Sequence, residues 1–263
     1  MASGKDIETR GHIVGFREEI AKAANASEDV FFSWFNDARD KDVAFIRGAW
    51  DFSVHMAQPL APYLSTPEDK VAVEIGHGGA RILAAASRHF GAAVGVDIHH
   101  NNAFVEAELT RRGITNVQLI QSDGKHLPLA DNAVDVVYSF IVLQHVETYD
   151  IFCAYLAETQ RALKPGGLAV LYFGRKSLLS LNRSSRLLYW VDRALERVVI
   201  GKFRQSPAKV NSTNLRVSLS HAKALARRTG FTVLRTLVSH KRVPDGTRLY
   251  GGQNGLVLRK PAA

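Results

Sequence analysis

The sequence is poor in cysteine and has no long apolar run. Cys153 is the single cysteine among 263 residues, which excludes an internal disulfide and a cysteine-rich zinc site. No apolar stretch approaches the ~18 residues that a membrane-spanning helix needs. The first residues, Met-Ala-Ser-Gly-Lys-Asp, lack the apolar region of a secretion signal. These absences predict a cytoplasmic protein.

Acidic residues are scarce in one part of the chain. Residues 175–216 contain ten Lys or Arg but only Asp192 and Glu196, so they hold eight of the nine net positive charges. Such a run is typical of a solvated helix face, or of a surface for an anionic glycolipid, membrane or nucleic acid. Within 186–200 the spacing predicts a basic amphipathic helix, with apolar residues at 187, 188, 191, 194, 195 and 198.

The rest of the chain has the composition of a folded α/β protein. Hydrophobic residues make up 46% of it, enough for a sizeable core in one large domain with an appendage. Short apolar strands alternate with helical segments, which predicts a parallel sheet. The strands are expected at 71–75, 92–97, 117–123, 134–139 and 168–173, with a helix at 150–163.

Four segments follow from this pattern. For residues 1–70 the pattern predicts a helical cap, with helices over 6–24 and 28–40. Residues 71–173 are expected to form the α/β core, and residues 174–216 a basic helical insertion that acts as a lid. Residues 217–263 complete the sheet, with a helix at 220–229, a turn at 244–246 and strands at 231–236 and 255–259.

The run from Val71 to Arg81 joins a buried strand to a glycine-rich turn. Gly76, Gly78 and Gly79 allow a sharp turn and a close approach of a ligand to the backbone. A helix predicted over 81–88 would point its N–H groups at that ligand. Glu74 lies two residues before the first glycine, where a carboxylate would repel a pyrophosphate and attract an ammonium group.

The spacing Glu74-x-Gly76-x-Gly78-x-Ala80 resembles the first motif of class I S-adenosylmethionine (SAM) methyltransferases. Ala80 stands where the commonest form has glycine, and alanine still permits close packing of helix on strand. The run 127–138 also resembles this family's approach to its fourth strand, and the resemblance covers about residues 71–173. It implies a doubly wound, seven-stranded, mainly parallel sheet with SAM as the cofactor.

The resemblance also assigns roles to residues at strand ends. Asp97 follows the glycine turn by about 20 residues, where open α/β folds hold ribose hydroxyls; by itself, such a residue is more often part of a turn. Asp123 would hold the adenine amino group, and Ser139 begins the segment that faces the sulfonium and the acceptor. The implied cofactor contacts are Glu74, Gly76, His77, Gly78, Gly79, Asp97, Ile98, Asp123, Gly124 and Ser139.

His145 is the candidate catalytic residue. It could take a proton from an acceptor hydroxyl, because a near-neutral pKa suits a general base. It could equally be a packing or capping histidine, since proximity supplies most of a methyl transfer. His99-His100 and the set His145, Glu147 and Asp150 invite a metal interpretation but lack tight ligand spacing, so a divalent ion is not indicated.

The sequence therefore predicts a SAM-dependent methyltransferase. Oxygen is the favoured target, because the Asp/Asn-Pro-Pro-Tyr/Phe motif of many nitrogen methyltransferases is replaced by Ser139-Phe-Ile-Val. The acceptor is expected to be a carbohydrate, a lipid-linked glycan or another small molecule, with peripheral attachment to an anionic inner membrane surface and no nucleic acid. Two alternatives stay open: an RNA methyltransferase that uses the basic insertion, and an inactive SAM-fold binding subunit.

Overall fold

The structure, a computed structural model, describes residues 15–36, 40–175, 184–242 and 248–262. Its strands are β1 Val71–Ile75, β2 Ala92–Asp97, β3 Val117–Gln121, β4 Val134–Ser139, β5 Leu163–Gly174, β6 Phe203–Gln205, β7 Leu215–Val217, β8 Thr232–Arg242 and β9 Arg248–Arg259. The predicted helical positions 6–14 and 37–39, and the predicted turn at 244–246, lie outside the described residues.

Seven strands form one sheet in the order β3-β2-β1-β4-β5-β9-β8. Strands β1 to β5 are parallel, and β9 is antiparallel to both β5 and β8. β6 and β7 pair separately. The predicted doubly wound, mainly parallel sheet of seven strands is confirmed. Strand order reverses between β1 and β4, and open α/β sheets bind ligands beyond the carboxyl ends of strands at such a point.

Helices cover both faces of the sheet. Val137 of β4 packs in one apolar cluster with Phe152, while Val136 points to the other face and packs in a cluster with Phe52. The described helices are α1 Phe16–Ala26, α2 Glu28–Asn36, α3 Lys41–Phe52, α4 Leu83–Ala86, α5 Asn102–Arg111, α6 Tyr149–Ala162, α7 Arg186–Ile200 and α8 Leu219–Arg228. α3 continues through a π-helical turn, Ser53–Ala57, and a short turn, Gln58–Leu60.

A helix able to cross a membrane does not occur among those that the structure describes.

The prediction of a helix over 81–88 is wrong in length, because α4 contains only Leu83–Ala86. Ala80 adopts a left-handed conformation, φ 60°, and its N–H donates to the His77 carbonyl. The residues before α4 therefore form a turn. A single helical turn has little macrodipole, so the expected helix N-terminus facing the ligand is not built.

The N-terminal cap forms a wall against the glycine-rich turn. A Cβ at Gly48 of α3 would lie 2.1 Å from the Arg81 carbonyl oxygen. The Arg81 guanidinium donates to the Asp51 carboxylate at 2.5 Å. Phe35 of α2 packs on Gly78, where a Cβ would lie 2.7 Å from the ring. The cap and the turn therefore hold each other in position.

The basic insertion is fastened to the sheet at two places. The Glu196 carboxylate of α7 accepts hydrogen bonds from the Leu219 N–H at 3.2 Å and the Asn254 amide at 2.9 Å. Further along, the Asn214 N–H donates to the Gln144 carbonyl at 2.9 Å. Because Gln144 follows β4, this second contact brings the insertion to the carboxyl edge of the sheet.

We expect Gly48→Ala to destabilise the protein by about 1–3 kcal/mol, the range for overpacking. The usual gain of about 1 kcal/mol for alanine over glycine in a helix would be reversed, because the new methyl meets the Arg81 carbonyl. Urea unfolding measures the change. Ser33→Ala at an exposed position of α2 is the control and should be neutral or slightly stabilising. A stabilised Gly48→Ala variant would contradict the packing of α3 on the turn.

Candidate cofactor and acceptor site

A cavity lies beyond the carboxyl ends of β1, β2 and β4. Its lining includes these predicted site residues: Glu74, Gly76, His77, Gly78, Gly79, Asp97, Ile98, Gly124 and His145. Apolar side chains from the cap and the segment after β4 complete the wall: Phe16, Ile20, Trp34, Phe35, Phe140, Ile141 and Val142. The cavity therefore joins a carboxylate-bearing part to an apolar part.

The glycine turn depends on left-handed backbone. Gly76 has φ 78°, and a Cβ there would lie 2.3 Å from a Val142 methyl. Gly78 has φ 53°. Ala80 shares this conformation and is fully buried, at a cost of roughly 1–2 kcal/mol for a residue with a Cβ. Ala80, the third small residue of the motif, is thus restricted to a small side chain by its left-handed backbone as well as by packing.

Asp97 connects the glycine turn to β2. Its Oδ2 accepts the Gly78 N–H at 2.8 Å, and its Oδ1 accepts the Ile98 N–H at 2.6 Å. Burial by itself would raise the pKa of Asp97, but His99, His77 and the two N–H groups together lower it. The carboxylate is therefore ionised. Its remaining lone pairs can accept the ribose hydroxyls that the family resemblance implies.

His77 and His99 lie beside Asp97, with candidate metal-binding atoms of all three within 4.8 Å. Nδ1 of His99 accepts the Asn101 N–H at 3.2 Å, which places the His99 proton on Nε2, 3.2 Å from the Gly78 carbonyl. Nδ1 of His77 lies 3.0 Å from the same carbonyl and also donates to it. Burial lowers the pKa of His77 to about 4. The two rings hold the Gly78 peptide, and a metal on His99 would have to break this arrangement.

Glu74 is a buried carboxyl group in the cavity wall, 2% exposed. Burial raises its pKa well above the ordinary value, and the Arg81 charge and the Tyr138 hydroxyl offset only part of this. The hydroxyl donates to Glu74 Oε2 at 3.3 Å. A cation in the cavity would favour the ionised form. The ammonium group of SAM is such a cation, so the residue fits the cofactor.

Two predicted contacts do not lie on the cavity wall. The Asp123 side chain is 57% exposed, and its carboxylate accepts the His126 N–H at 2.7 Å and lies 2.6 Å from the His126 ring nitrogen. The Ser139 hydroxyl is buried and donates to the Ile75 carbonyl at 3.2 Å. Contacts of Asp123 with adenine and of Ser139 with the sulfonium stay predictions.

His145 lies where the cap, the segment after β4 and the insertion meet. Its Nδ1 is 2.6 Å from the Ser212 carbonyl and therefore carries a proton, while Nε2 lies 3.0 Å from the Gln144 amide nitrogen. Burial lowers the pKa of His145, opposed in part by the Ser212 carbonyl. The Phe16 ring packs 6.1 Å away. Near pH 7 the imidazole is neutral with Nε2 unprotonated, the state that a general base needs.

The cap contributes residues that the sequence motifs do not mark. Arg17 of α1 donates to the carbonyls of Ile98 at 3.1 Å and Ser122 at 3.3 Å, which ties the cap to the ends of β2 and β3. In the sequence, the aromatic cluster at 31–35 was the feature that could have identified Trp34 and Phe35 as lining residues. Arg17 and the two α1 residues that line the cavity, Phe16 and Ile20, carry no motif, because their position depends on tertiary packing.

Ile141 marks the apolar part of the cavity as strained. It has φ 62°, an outlier for a β-branched residue, at a cost of roughly 1–2 kcal/mol. Its N–H donates to the Gln253 side chain of β9 at 3.2 Å. Such strain is often found at ligand-binding sites.

The strand order of the sheet and the position of the cavity are those of the class I SAM-dependent methyltransferase fold. Solved SAM-dependent methyltransferases from Methanosarcina mazei and Mesorhizobium loti share it, each 16% identical, with TM-scores of 0.53 and 0.52 over 78% and 77% of this chain and 98% and 96% of theirs. The cyclase SpnF also shares it, 15% identical with a TM-score of 0.54 over 85% of this chain and 83% of its own. These likenesses show the fold and not the chemistry.

The sequence matches a family model over part of its length. Residues 73–171 match a family described as a methyltransferase domain. This part of the chain is therefore similar to methyltransferases, and the solved structures that share its fold are named as SAM-dependent, which indicates SAM as the cofactor.

Curated relatives match parts of the chain. Demethylmenaquinone methyltransferase of Staphylococcus carnosus is 39% identical over 80 residues, 30% of this chain and 32% of the relative. Phthiotriol/phenolphthiotriol dimycocerosates methyltransferase 1 of Mycobacterium ulcerans is 30% identical over 95 residues, 36% of this chain and 33% of the relative. Fatty-acid O-methyltransferase of Mycolicibacterium smegmatis is 26% identical over 185 residues, 64% of this chain and 66% of the relative. The first two matches thus span about a third of the relatives.

We expect Asp97→Ala to weaken SAM binding at least ~10-fold, because a charged acceptor for the ribose is lost. The SAM affinity of Asp97→Asn should lie between those of Asp97→Ala and wild type, since one oxygen acceptor remains. Calorimetry with SAM and S-adenosylhomocysteine measures the affinities, and thermal unfolding reports damage to the turn. Asp131→Asn, which removes an exposed carboxylate, is the control. Wild-type protein that binds NAD and not SAM would contradict the site.

We expect SAM binding to release protons at Glu74. The unbound carboxyl has a raised pKa, and the bound ammonium lowers it, so affinity should rise with pH up to the unbound pKa and then level off. Calorimetry in phosphate and Tris buffers, whose ionisation heats differ, measures the released protons. Glu74→Gln should weaken binding and remove this release. Equal release by wild type and variant would assign the proton to another group.

Proposed function

We propose that this chain is a SAM-dependent O-methyltransferase that acts on a small molecule or a lipid-linked glycan. The supporting observation is one cavity with two buried carboxyl groups, Glu74 and Asp97, beside an apolar wall that contains His145. Polar groups that could form hydrogen bonds with the hydroxyl groups of a free sugar are sparse in that wall. An acceptor with a substantial apolar part therefore fits better than a bare carbohydrate. Relatives named for fatty acid and for demethylmenaquinone support an apolar acceptor.

The residues divide the work between cofactor and acceptor. Glu74 would hold the ammonium group and Asp97 the ribose, with the glycine turn between them. Bound SAM supplies a methyl group on a positively charged sulfur. His145 would accept the acceptor's proton at Nε2 in place of the Gln144 amide hydrogen bond to that nitrogen, while the Ser212 carbonyl holds its other nitrogen and fixes the ring. Phe16 and Trp34 would exclude water and position the acceptor.

The insertion at 174–216 would act as a lid over the acceptor. Two contacts support this role: Asn211 lines the cavity, and the Ser212 carbonyl binds the His145 ring. Its cations also leave an RNA acceptor as a second candidate, because residues 175–216 hold eight of the chain's nine net positive charges. An inactive binding subunit is less well supported, since Glu74 and Asp97 both line the cavity.

The function is tested with isotopically labelled SAM and a defined set of acceptors. The set contains palmitic acid, a demethylated menaquinol, glucose and bulk RNA at physiological salt, and mass spectrometry identifies the products. We expect a methyl ester or ether of an apolar acceptor and no transfer to glucose. Transfer to RNA, or to nitrogen, would overturn the proposal.

We expect His145→Gln to lower kcat by roughly 10²–10⁴-fold, the range for loss of a general base, with SAM affinity nearly unchanged. Because the base must be unprotonated and its pKa is lowered from 6.5, wild-type kcat at saturating SAM should fall only below that pH. The variant should lose this pH dependence. His89→Gln at an exposed histidine is the matched control. An unchanged kcat in His145→Gln would assign catalysis to positioning alone.

A further inference from the structure

Helix α7 turns an apolar stripe toward solvent. Among the side chains of α7 that the structure describes, five large apolar ones are exposed: Leu187 by 73%, Trp190 by 57%, Val191 by 37%, Leu195 by 38% and Val198 by 83%. Their spacing places them on one face of the helix. A contiguous apolar surface of this kind is typical of a site of interaction with a protein or a membrane.

The opposite face of α7 is acidic and turned toward the protein. Asp192 is 5% exposed and Glu196 is 6% exposed. The Glu196 carboxylate is bound by the Leu219 N–H and the Asn254 amide, which fixes the rotation of the helix. Both acidic residues of the 175–216 segment are thereby removed from the surface. The exposed charges of its described part are all cationic.

Cations flank the stripe. Arg186 begins α7 and is exposed, and Lys202 and Arg204 follow the helix and are exposed too. Phe203, between them, is 38% exposed. A surface with an apolar centre, a tryptophan and flanking Lys and Arg has the composition of helices that lie in the interface of anionic bilayers.

A cleft beside the stripe suits an anionic headgroup. It lies between α7 and α8 and includes Trp190, Arg193, Ser220 and Lys223 in its lining. Glu196 also lies there, with one oxygen held by Leu219 and Asn254 as described and the other 3.7 Å from Arg193. Two cations and one bound acidic group leave the cleft with a positive balance next to the apolar stripe.

We propose that α7 docks this protein on an anionic membrane surface. The stripe enters the boundary between headgroups and acyl chains, and the flanking cations and the cleft meet lipid phosphates. A second copy of the chain is a poorer occupant, because it would place two cationic surfaces against each other. Nucleic acid would use the cations but would leave the aliphatic stripe uncovered. The docking surface lies outside the cavity and does not depend on the acceptor.

The test is sedimentation with vesicles of pure phosphatidylcholine and of phosphatidylcholine with 30% phosphatidylglycerol, at low and high salt. We expect wild-type protein to bind the anionic vesicles at least ~10-fold more tightly, with the difference reduced by salt. Leu187→Ser/Val198→Ser should weaken this binding at least ~10-fold. Arg193→Gln/Lys223→Gln should weaken it roughly 10-fold.

Two double variants elsewhere are matched controls. Val43→Ser/Ile46→Ser removes exposed apolar side chains of α3, 47% and 60% exposed. Lys70→Gln/Arg88→Gln removes two cations that lie outside α7 and α8, one directly before β1 and one between α4 and β2. Both should bind vesicles like wild type. Trp190 fluorescence, read against Trp190→Phe, should shift to the blue on anionic vesicles. SAM binding by each variant confirms that it is folded.

Several results would overturn the proposal. Equal binding to both vesicle types would remove the preference for an anionic membrane, and unchanged binding by Leu187→Ser/Val198→Ser would remove the stripe from membrane contact. A dimer in light scattering that this variant abolishes would assign the stripe to a second copy. RNA that binds wild type and both α7 variants alike would leave the stripe without a role. Methyl transfer to dissolved acceptors is measured separately, so failure of docking and failure of the proposed activity are distinguishable.

Discussion

The hydrogen bond from the Gly78 N–H to the Asp97 carboxylate is the interaction on which the candidate site depends. It joins the turn after β1 to the end of β2, beside the point between β1 and β4 where the order of strands reverses. The left-handed residues of the turn are held in place because this carboxylate binds the Gly78 N–H and two histidine rings bind the Gly78 carbonyl. Since the same carboxylate lines the cavity, the geometry of the turn and the recognition of a ligand are controlled by one group.

The cap extends this constraint outward. Phe35 packs where a Gly78 side chain would be, and Gly48 leaves room for the Arg81 backbone, so the turn and the cap require each other's small residues. Arg17 adds hydrogen bonds to the ends of β2 and β3. A cofactor bound at the turn would therefore meet a wall whose position is set by packing in the cap. Opening that wall for entry would involve the cap helices, which makes their stability relevant to binding.

The sheet was predictable because buried parallel strands appear as short apolar runs. The location of Glu74 and Asp97 on the cavity wall was predictable because they lie at the ends of such runs. Other features were not. β9 begins at Arg248, ahead of the apolar run at 255–259, because pairing with β8 extends the strand through residues that pattern does not mark. The shortness of α4 depends on the left-handed Ala80, and the contribution of α1 to the cavity depends on tertiary contacts. Asp123 shows that a carboxylate at a strand end can turn to solvent and bind its own loop.

The orientation of α7 shows what periodicity leaves open. The spacing of its apolar residues defines a stripe but not the direction in which the stripe faces. Turned inward, the stripe would gain roughly 1.5–3 kcal/mol for each large side chain fully buried. The same rotation would expose Glu196 and leave the Leu219 N–H and the Asn254 amide without their acceptor, at about 1–3 kcal/mol each. Hydration alone therefore favours the inward stripe, and the outward orientation is accounted for when a second apolar phase covers it. Folding in water and the proposed docking at a membrane thus place opposite demands on this helix, and the hydrogen bonds of its buried Glu196 are formed only in the outward orientation.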